Sequence, residues 1–278
     1  MSKADEIYNQ LVREILEHGI WDKDQRVRTK WPDGSSAYTK SIICKQIHFD
    51  NSEVPILTTK KVAWKTAIQE ILWIWQQKDN SVENLEKKGI YIWSPWKKRD
   101  GTIGPAYGFQ LGKKCRRLHG ELVDQVDYLL YELKHNPASR RHVTTLWNIE
   151  DLDEMSLMPC VWATQWLVKA GKLHLIVQVR SNDIGVGYPF NVFQYYVLQR
   201  MIAQVTDLEL GTLTFNISDA HIYDRHIEPL KKQITMPQYE APTLWINPEI
   251  KNFYDFTIDD FRLESYRYGP AIPLEVAI

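Results

Sequence analysis

Apolar residues Ile7, Leu11, Ile15 and Leu16 recur at helical spacing over residues 4–18, which predicts an amphipathic helix closed by a C-cap at Gly19. A second helix is expected over residues 62–75, where Ile68, Ile71, Leu72 and Trp75 share one face. A third covers 124–133 and stops at Asn136-Pro137. Residues 173–180 alternate instead: Leu173, Leu175, Val177 and Val179 face one way, His174, Gln178 and Arg180 the other, the signature of a strand buried on one side. Residues 142–147 are β-branched and strand-like, and 213–217 read as another short strand. Pro189 suits the first position of a helix whose stripe continues through Phe193, Val197 and Met201 to about Val205. Pro32-Asp33-Gly34-Ser35 is a turn.

Helices and strands mix without a regular βαβα rhythm, without an internal repeat and without a linker that would separate two domains. The expectation is an α+β fold: one domain over 1–278, a mixed β-sheet with flanking helices. No dinucleotide-binding glycine fingerprint is present.

Composition narrows the function classes. With 34 Lys+Arg against 35 Asp+Glu the formal charge is −1, which argues against a general nucleic-acid binder. Cys44, Cys115 and Cys160 form an odd set with no C-x-x-C spacing, so neither a disulfide framework nor a cysteine zinc site is expected. The first residues carry no apolar run of the export-signal type, and the expected location is the cytoplasm. Eleven tryptophans are an excess, and flat side chains in such number either fill a core or stack on a ligand.

Three kinds of residue could carry chemistry. Arg140-Arg141 and Arg180-Ser181 stand at element ends beside hydroxyls and Arg28 lies in a polar segment near the N-terminus, which suits bidentate phosphate capture if they converge, although any one of them alone reads better as an exposed ion-pairing arginine. Cys160 follows Pro159 in an apolar stretch; a nearby cation would make it a thiolate nucleophile, and otherwise it is a small buried hydrophobe. Glu70 lies in an apolar helix, where it is either a half-buried proton carrier or a residue of the solvated face.

Arg28-Thr29, Leu57-Thr58-Thr59-Lys60, Ile92-Trp93 with Trp96, Tyr107-Gly108, Arg140-Arg141, Met158-Pro159-Cys160, Arg180-Ser181-Asn182-Asp183, Pro189-Phe190-Asn191, Asp219-Ala220-His221-Ile222-Tyr223 and the terminal Val276-Ala277-Ile278 occur in one order over essentially the whole chain. In that order and spacing the sequence resembles the folate-dependent thymidylate synthase family. The resemblance implies a homodimer built on a sheet face, with dUMP and 5,10-methylenetetrahydrofolate as substrates and no metal. It implies that Cys160 adds to C6 of the uracil, with Glu70 and Tyr107 handling protons and Arg180 as the cation beside the sulfur. It places the phosphate on Arg28, Arg180 and Ser181, with Arg140 and Arg141 donated by the second subunit, and counts Gln165 among the dUMP-binding positions. Asn191 would read the uracil edge, and His221 and Tyr223 the deoxyribose hydroxyl. The folate would stack among Ile92, Trp93, Trp96 and Phe190, with Asp183 on the pterin and counted as catalytic, Gly187 leaving room, Lys60 meeting the glutamate tail, and the Ala277 tail closing as a lid.

Ser94, Ser218, Val186, His48 and Val161 depart from that pattern. Three of these border the ligand pocket, and an alternative on the same scaffold is a dUMP hydroxymethylase, in which water captures the one-carbon intermediate before hydride arrives. A non-catalytic nucleotide- or RNA-binding regulator is the alternative of a different class.

Overall fold

The structure, a computed structural model, describes residues 2–278. Its helices are α1 (Lys3–His18), α2 (Trp64–Ile71), α3 (Val82–Glu86), α4 (Gly108–Gly112), α5 (Gln125–His135), α6 (Gly187–Val205) and α7 (Ile227–Gln233). Its strands are β1 (Ile20–Trp21), β2 (Thr39–Phe49), β3 (Arg116–Leu118), β4 (Glu121–Val123), β5 (His142–Thr145), β6 (Val161–Lys169), β7 (Lys172–Val179), β8 (Asn182–Asp183), β9 (Glu209–Tyr223), β10 (Thr243–Ile246) and β11 (Phe261–Glu264). The main sheet runs β1-β2-β9-β7-β6-β5, with β8 pairing β9 beside it. The β7–β9 and β8–β9 pairings are parallel and the rest antiparallel, so the sheet is mixed and the fold α+β, as expected.

The core lies between this sheet and its helices. Helix α6 buries 14 of its 19 residues, more than an amphipathic stripe can account for, because α2 packs on one side and the sheet on another. On the other sheet face Ile43, Val143 and Trp162 remain exposed.

Where the structure departs from expectation, the causes are local. Gly19 ends α1 in extended backbone (φ −65°, ψ 153°), not in a left-handed cap. Glycine is needed there because a Cβ would sit 2.5 Å from the Ile15 carbonyl oxygen. Pro189 occupies the third position of α6, still among the first N–H groups that have no helical partner. The 62–75 helix divides into α2 and a π-helical turn, Leu72–Gln76. Trp73 and Trp75 are both fully buried, and Leu72 and Ile74 beside them are buried too, so this turn is covered on all sides; Trp75 stands edge-on to Trp166 with ring centroids 6.0 Å apart.

Strand 213–217 is the middle of the much longer β9, and β2 and β6 were not expected at all. Neither alternates cleanly, and the β2–β9 ladder is interrupted at Cys44, which has φ +60° and is left out, with Ser218 opposite it, between the Ile43–Asp219 and Lys45–Ile217 pairs without a change of register. Helix α5 starts at a cap that the sequence does carry: Asp124 accepts from the N–H groups of Val126 and Asp127 at 3.0 and 2.9 Å and pairs with Lys78. Asp124→Ala should therefore lower stability by about 1–2 kcal/mol, read from the denaturant midpoint at constant slope.

Among the described residues no helix is long and apolar enough to cross a membrane, and no group of His, Cys, Asp and Glu could hold a metal ion.

Candidate active site

A cavity of about 270 Å³ opens between α2, the Tyr91–Trp96 segment, the Cys160 loop and the start of α6. Among its lining residues are Glu70, Ile92, Trp93, Trp96, Tyr107, Cys160, Gly187, Phe190 and Asn191, all singled out in the sequence. Ile71, Ile74, Leu157, Val161, Val186 and Tyr195 complete an apolar wall, and Gln194 adds a polar group that sequence reasoning missed.

Cys160 lies in the turn that leads into β6. Its N–H donates to the Tyr107 hydroxyl at 3.2 Å, and its carbonyl accepts from the Arg180 N–H at 2.9 Å. The Arg180 guanidinium donates to the carbonyls of Pro159 (3.0 Å) and Met158 (2.8 Å), clamping the backbone just before the cysteine. Burial pushes the Cys160 thiol above its ordinary value, and Arg180 and Tyr107 offset only part of that. The cation that the sequence led us to expect is Arg180, and it favours the thiolate, but burial outweighs it. Alkylation of Cys160 by iodoacetamide, followed by peptide mass spectrometry to separate it from exposed Cys44 and Cys115, should still be accelerating at pH 9. A rate that levels off below pH 8 would contradict this.

Glu70 is buried on α2, which removes the solvated-face reading. Burial raises its carboxyl to about 7 even though Trp93 donates to Oε1 at 2.6 Å and Gln194 donates to Oε2. Trp93 stands edge-on to both Tyr107 and Trp96, at centroid distances of 5.0 and 5.7 Å. Tyr107 adopts φ +47°, ψ −106°, a costly conformation for a side-chain-bearing residue. The next residue shows what fixes it: a Cβ on Gly108 would lie 2.3 Å from the Asp79 carbonyl oxygen, so the loop is pressed against its neighbour.

Beyond the cavity, Tyr223 meets His221 edge-on at 5.1 Å, and His221 Nδ1 is 2.7 Å from Asp219 Oδ1. Burial pushes the Tyr223 hydroxyl up to about 12, with Asp183 and Cys160 adding to the rise and Thr29 and Arg28 opposing it, so these groups share one neighbourhood. Burial alone would raise the Asp183 carboxyl, but His226, His221 and the Gly185 N–H (2.8 Å) outweigh it and hold the carboxyl below its usual range. Ser181 follows Arg180 and is half-buried.

Other expected residues stand apart. Lys60 is buried under a neighbouring depression that shares Val186 and Phe190 with the cavity; its ammonium donates to the Gly185 carbonyl at 2.5 Å, and burial lowers it to about 8. Arg140 and Arg141 are exposed, lie outside the cavity lining, and pair with no carboxylate among the described residues; Gln165 donates to the Arg140 carbonyl at 3.1 Å. The C-terminal tail does not cover the cavity: Ile278 and Lys30 exchange two backbone hydrogen bonds of 2.7 and 2.8 Å. The tryptophan excess serves both core and cavity, and neither use accounts for all of it. Trp93 and Trp96 do line the cavity, but of the other nine only Trp31, Trp73, Trp75 and Trp166 are buried.

The thymidylate synthase family model matches residues 6–278. The chain belongs to the thymidylate synthase family. It is 63% identical to thymidylate synthase 1 of Bacillus spizizenii and 62% identical to the thymidylate synthase of Bacillus phage phi3T, each over the full length of both chains. The solved thermostable thymidylate synthase A from Bacillus subtilis is 63% identical, with a TM-score of 0.96 over 99% of each chain. Full-length similarity at this level to proteins named thymidylate synthase favours that reading over the hydroxymethylase alternative. Among the departures from the family pattern, Val161 and Val186 are cavity walls, whereas Ser94 turns away and donates to Glu86 at 2.8 Å.

Proposed function

We propose that this chain converts dUMP to dTMP, with 5,10-methylenetetrahydrofolate as co-substrate. The observation that carries this is the meeting of Cys160, Glu70 and Asn191 in one cavity whose remaining walls are largely aromatic and aliphatic. The Cys160 sulfur adds to C6 of the uracil, which makes C5 nucleophilic. Tyr107, hydrogen-bonded to the cysteine backbone, and Glu70, with a carboxyl near 7, are suited to moving protons at neutral pH. Asn191 pairs with N3–H and O4, His221 and Tyr223 with the 3′-hydroxyl, and Arg28, Arg180 and Ser181 with the phosphate. Gln165, which donates to the Arg140 carbonyl, is assigned to dUMP binding as well.

The flat surfaces of Trp93, Trp96 and Phe190 with Ile92 fit a stacked pterin. The folate supplies the one-carbon unit and then the hydride. Asp183 bonds the pterin, Gly187 leaves space, Lys60 attracts the glutamate tail, and Ala277 moves over the site from its position beside Lys30. The apolar walls keep water from the one-carbon intermediate.

A homodimer through the sheet face completes the phosphate site with Arg140 and Arg141 of the second subunit. Exposed Ile43, Val143 and Trp162, and two arginines without carboxylate partners, support this.

Incubation with dUMP and methylenetetrahydrofolate, with mass analysis of the nucleotide and absorbance of dihydrofolate, tests the reading. Methylated product with dihydrofolate supports it, and a hydroxymethyl product without dihydrofolate overturns it. Asn191→Asp should move the preference from dUMP toward dCMP by roughly two orders of magnitude, measured as the ratio of kcat/KM values.

A further inference from the structure

Asn191 has an ambiguity that its residue type cannot resolve. Uracil offers an N3–H donor next to the O4 acceptor, whereas cytosine offers an N3 acceptor next to its amino donor. A side-chain amide can match either pattern simply by turning over, which exchanges its oxygen and its NH2. An asparagine therefore discriminates between the two bases only if something holds its amide in one sense.

We infer that Gln194 is the positioning residue that locks the Asn191 amide and thereby sets pyrimidine specificity; this rests on the proposed binding of dUMP in this cavity. Asn191 and Gln194 are three residues apart on α6, so they share a helix face, and both line the cavity. Gln194 is 2% exposed. Its Nε2 lies 3.2 Å from the Ala67 carbonyl, which can only accept, and also meets Glu70 Oε2. The nitrogen of Gln194 must face α2, and Oε1 must face away from it.

The rest of the chain of bonds follows from that polarity. Gln194 Oε1 accepts from Asn191 Nδ2 at 3.2 Å, and Asn191 Oδ1 accepts from Asn182 Nδ2 at 3.1 Å. A reversed Asn191 would set its oxygen against the Gln194 oxygen in a buried place, leaving both without a donor. Asn182 does not impose the sense itself, because its own Oδ1 has no partner and its amide adapts to the neighbour. One hydrogen on Asn191 Nδ2 and one lone pair on Oδ1 remain for a base. The Ala67 carbonyl anchors the polarity whether or not Glu70 is ionised.

The test is the affinity of dUMP and of dCMP, measured by calorimetry for the unaltered protein, Gln194→Met and Gln194→Ala, alongside dUMP methylation by the unaltered protein. With the lock removed, the dUMP-to-dCMP affinity ratio should fall at least about tenfold in each folded variant, through weaker dUMP and unchanged or tighter dCMP binding. A merely structural glutamine would weaken both nucleotides by one factor; an unchanged ratio overturns the inference. The alanine variant keeps the test open if the methionine variant does not fold. Failure of the underlying reading is separate and appears as no methylation of dUMP by the unaltered protein.

Discussion

Cys160→Ser is expected to lower dTMP formation by at least roughly three orders of magnitude while leaving dUMP affinity within a few-fold of the unaltered protein. The two atoms differ little in size, and the backbone that carries them is clamped by Arg180 and Tyr107 through main-chain groups, which the substitution does not touch. What changes is nucleophilicity. A thiol raised by burial still yields a thiolate far more readily than a serine hydroxyl yields an alkoxide in the same apolar site. Phosphate, sugar and base contacts are assigned to other residues, so calorimetry with dUMP should report near-normal binding while a product assay reports loss of turnover. Turnover within tenfold of normal would remove Cys160 from its role.

Glu70→Gln is expected to cost about 10²–10⁴ in kcat, the usual range for losing a positioned proton carrier. It should also remove an inflection near pH 7 from the rate profile of the unaltered protein, because that is where burial places the carboxyl. The same shift has a consequence for stability. Between the ordinary value of 4.5 and about 7 the folded protein keeps a proton on Glu70 that the unfolded chain has released. Its contribution is fully present below pH 4.5 and is lost as pH rises through 7. Unfolding midpoints should therefore decline over that window in the unaltered protein, and less steeply in Glu70→Gln. Parallel curves for the two proteins would argue against a raised carboxyl.

Much of this site was legible because its residues sit in short motifs fixed to element ends. Cys160, Glu70, Asn191 and the Trp93–Trp96 wall meet as the sequence led us to expect. Gln194 did not stand out, although it left a trace: a polar residue between Phe193 and Tyr195 in a helix apolar all round, three positions after Asn191. A buried amide in such a place requires partners, and those come from α2, about 125 residues away in sequence, so no local pattern names them. β2 and β6 escaped for a related reason. Both alternate poorly, and what makes them strands is pairing with β9 and β7, not their own periodicity. Arg140 and Arg141 show the converse: their motif is plain, but a single chain gives them nothing to hold.

The long pairing of β2 with β9 has a further consequence, for synthesis. Phe49 must wait for Leu213, about 160 residues later in the chain, before its strand gains a neighbour on that side. At translation rates of roughly 5–20 residues per second, that interval is on the order of 10–30 s. Throughout it β2 is an unpaired edge carrying Ile42, Ile43, Ile47 and Phe49, open to other nascent chains. The charged residues Lys40 and Lys45 and the polar Gln46 and His48, interspersed along the strand, are placed to keep that edge from associating while the ribosome finishes the chain.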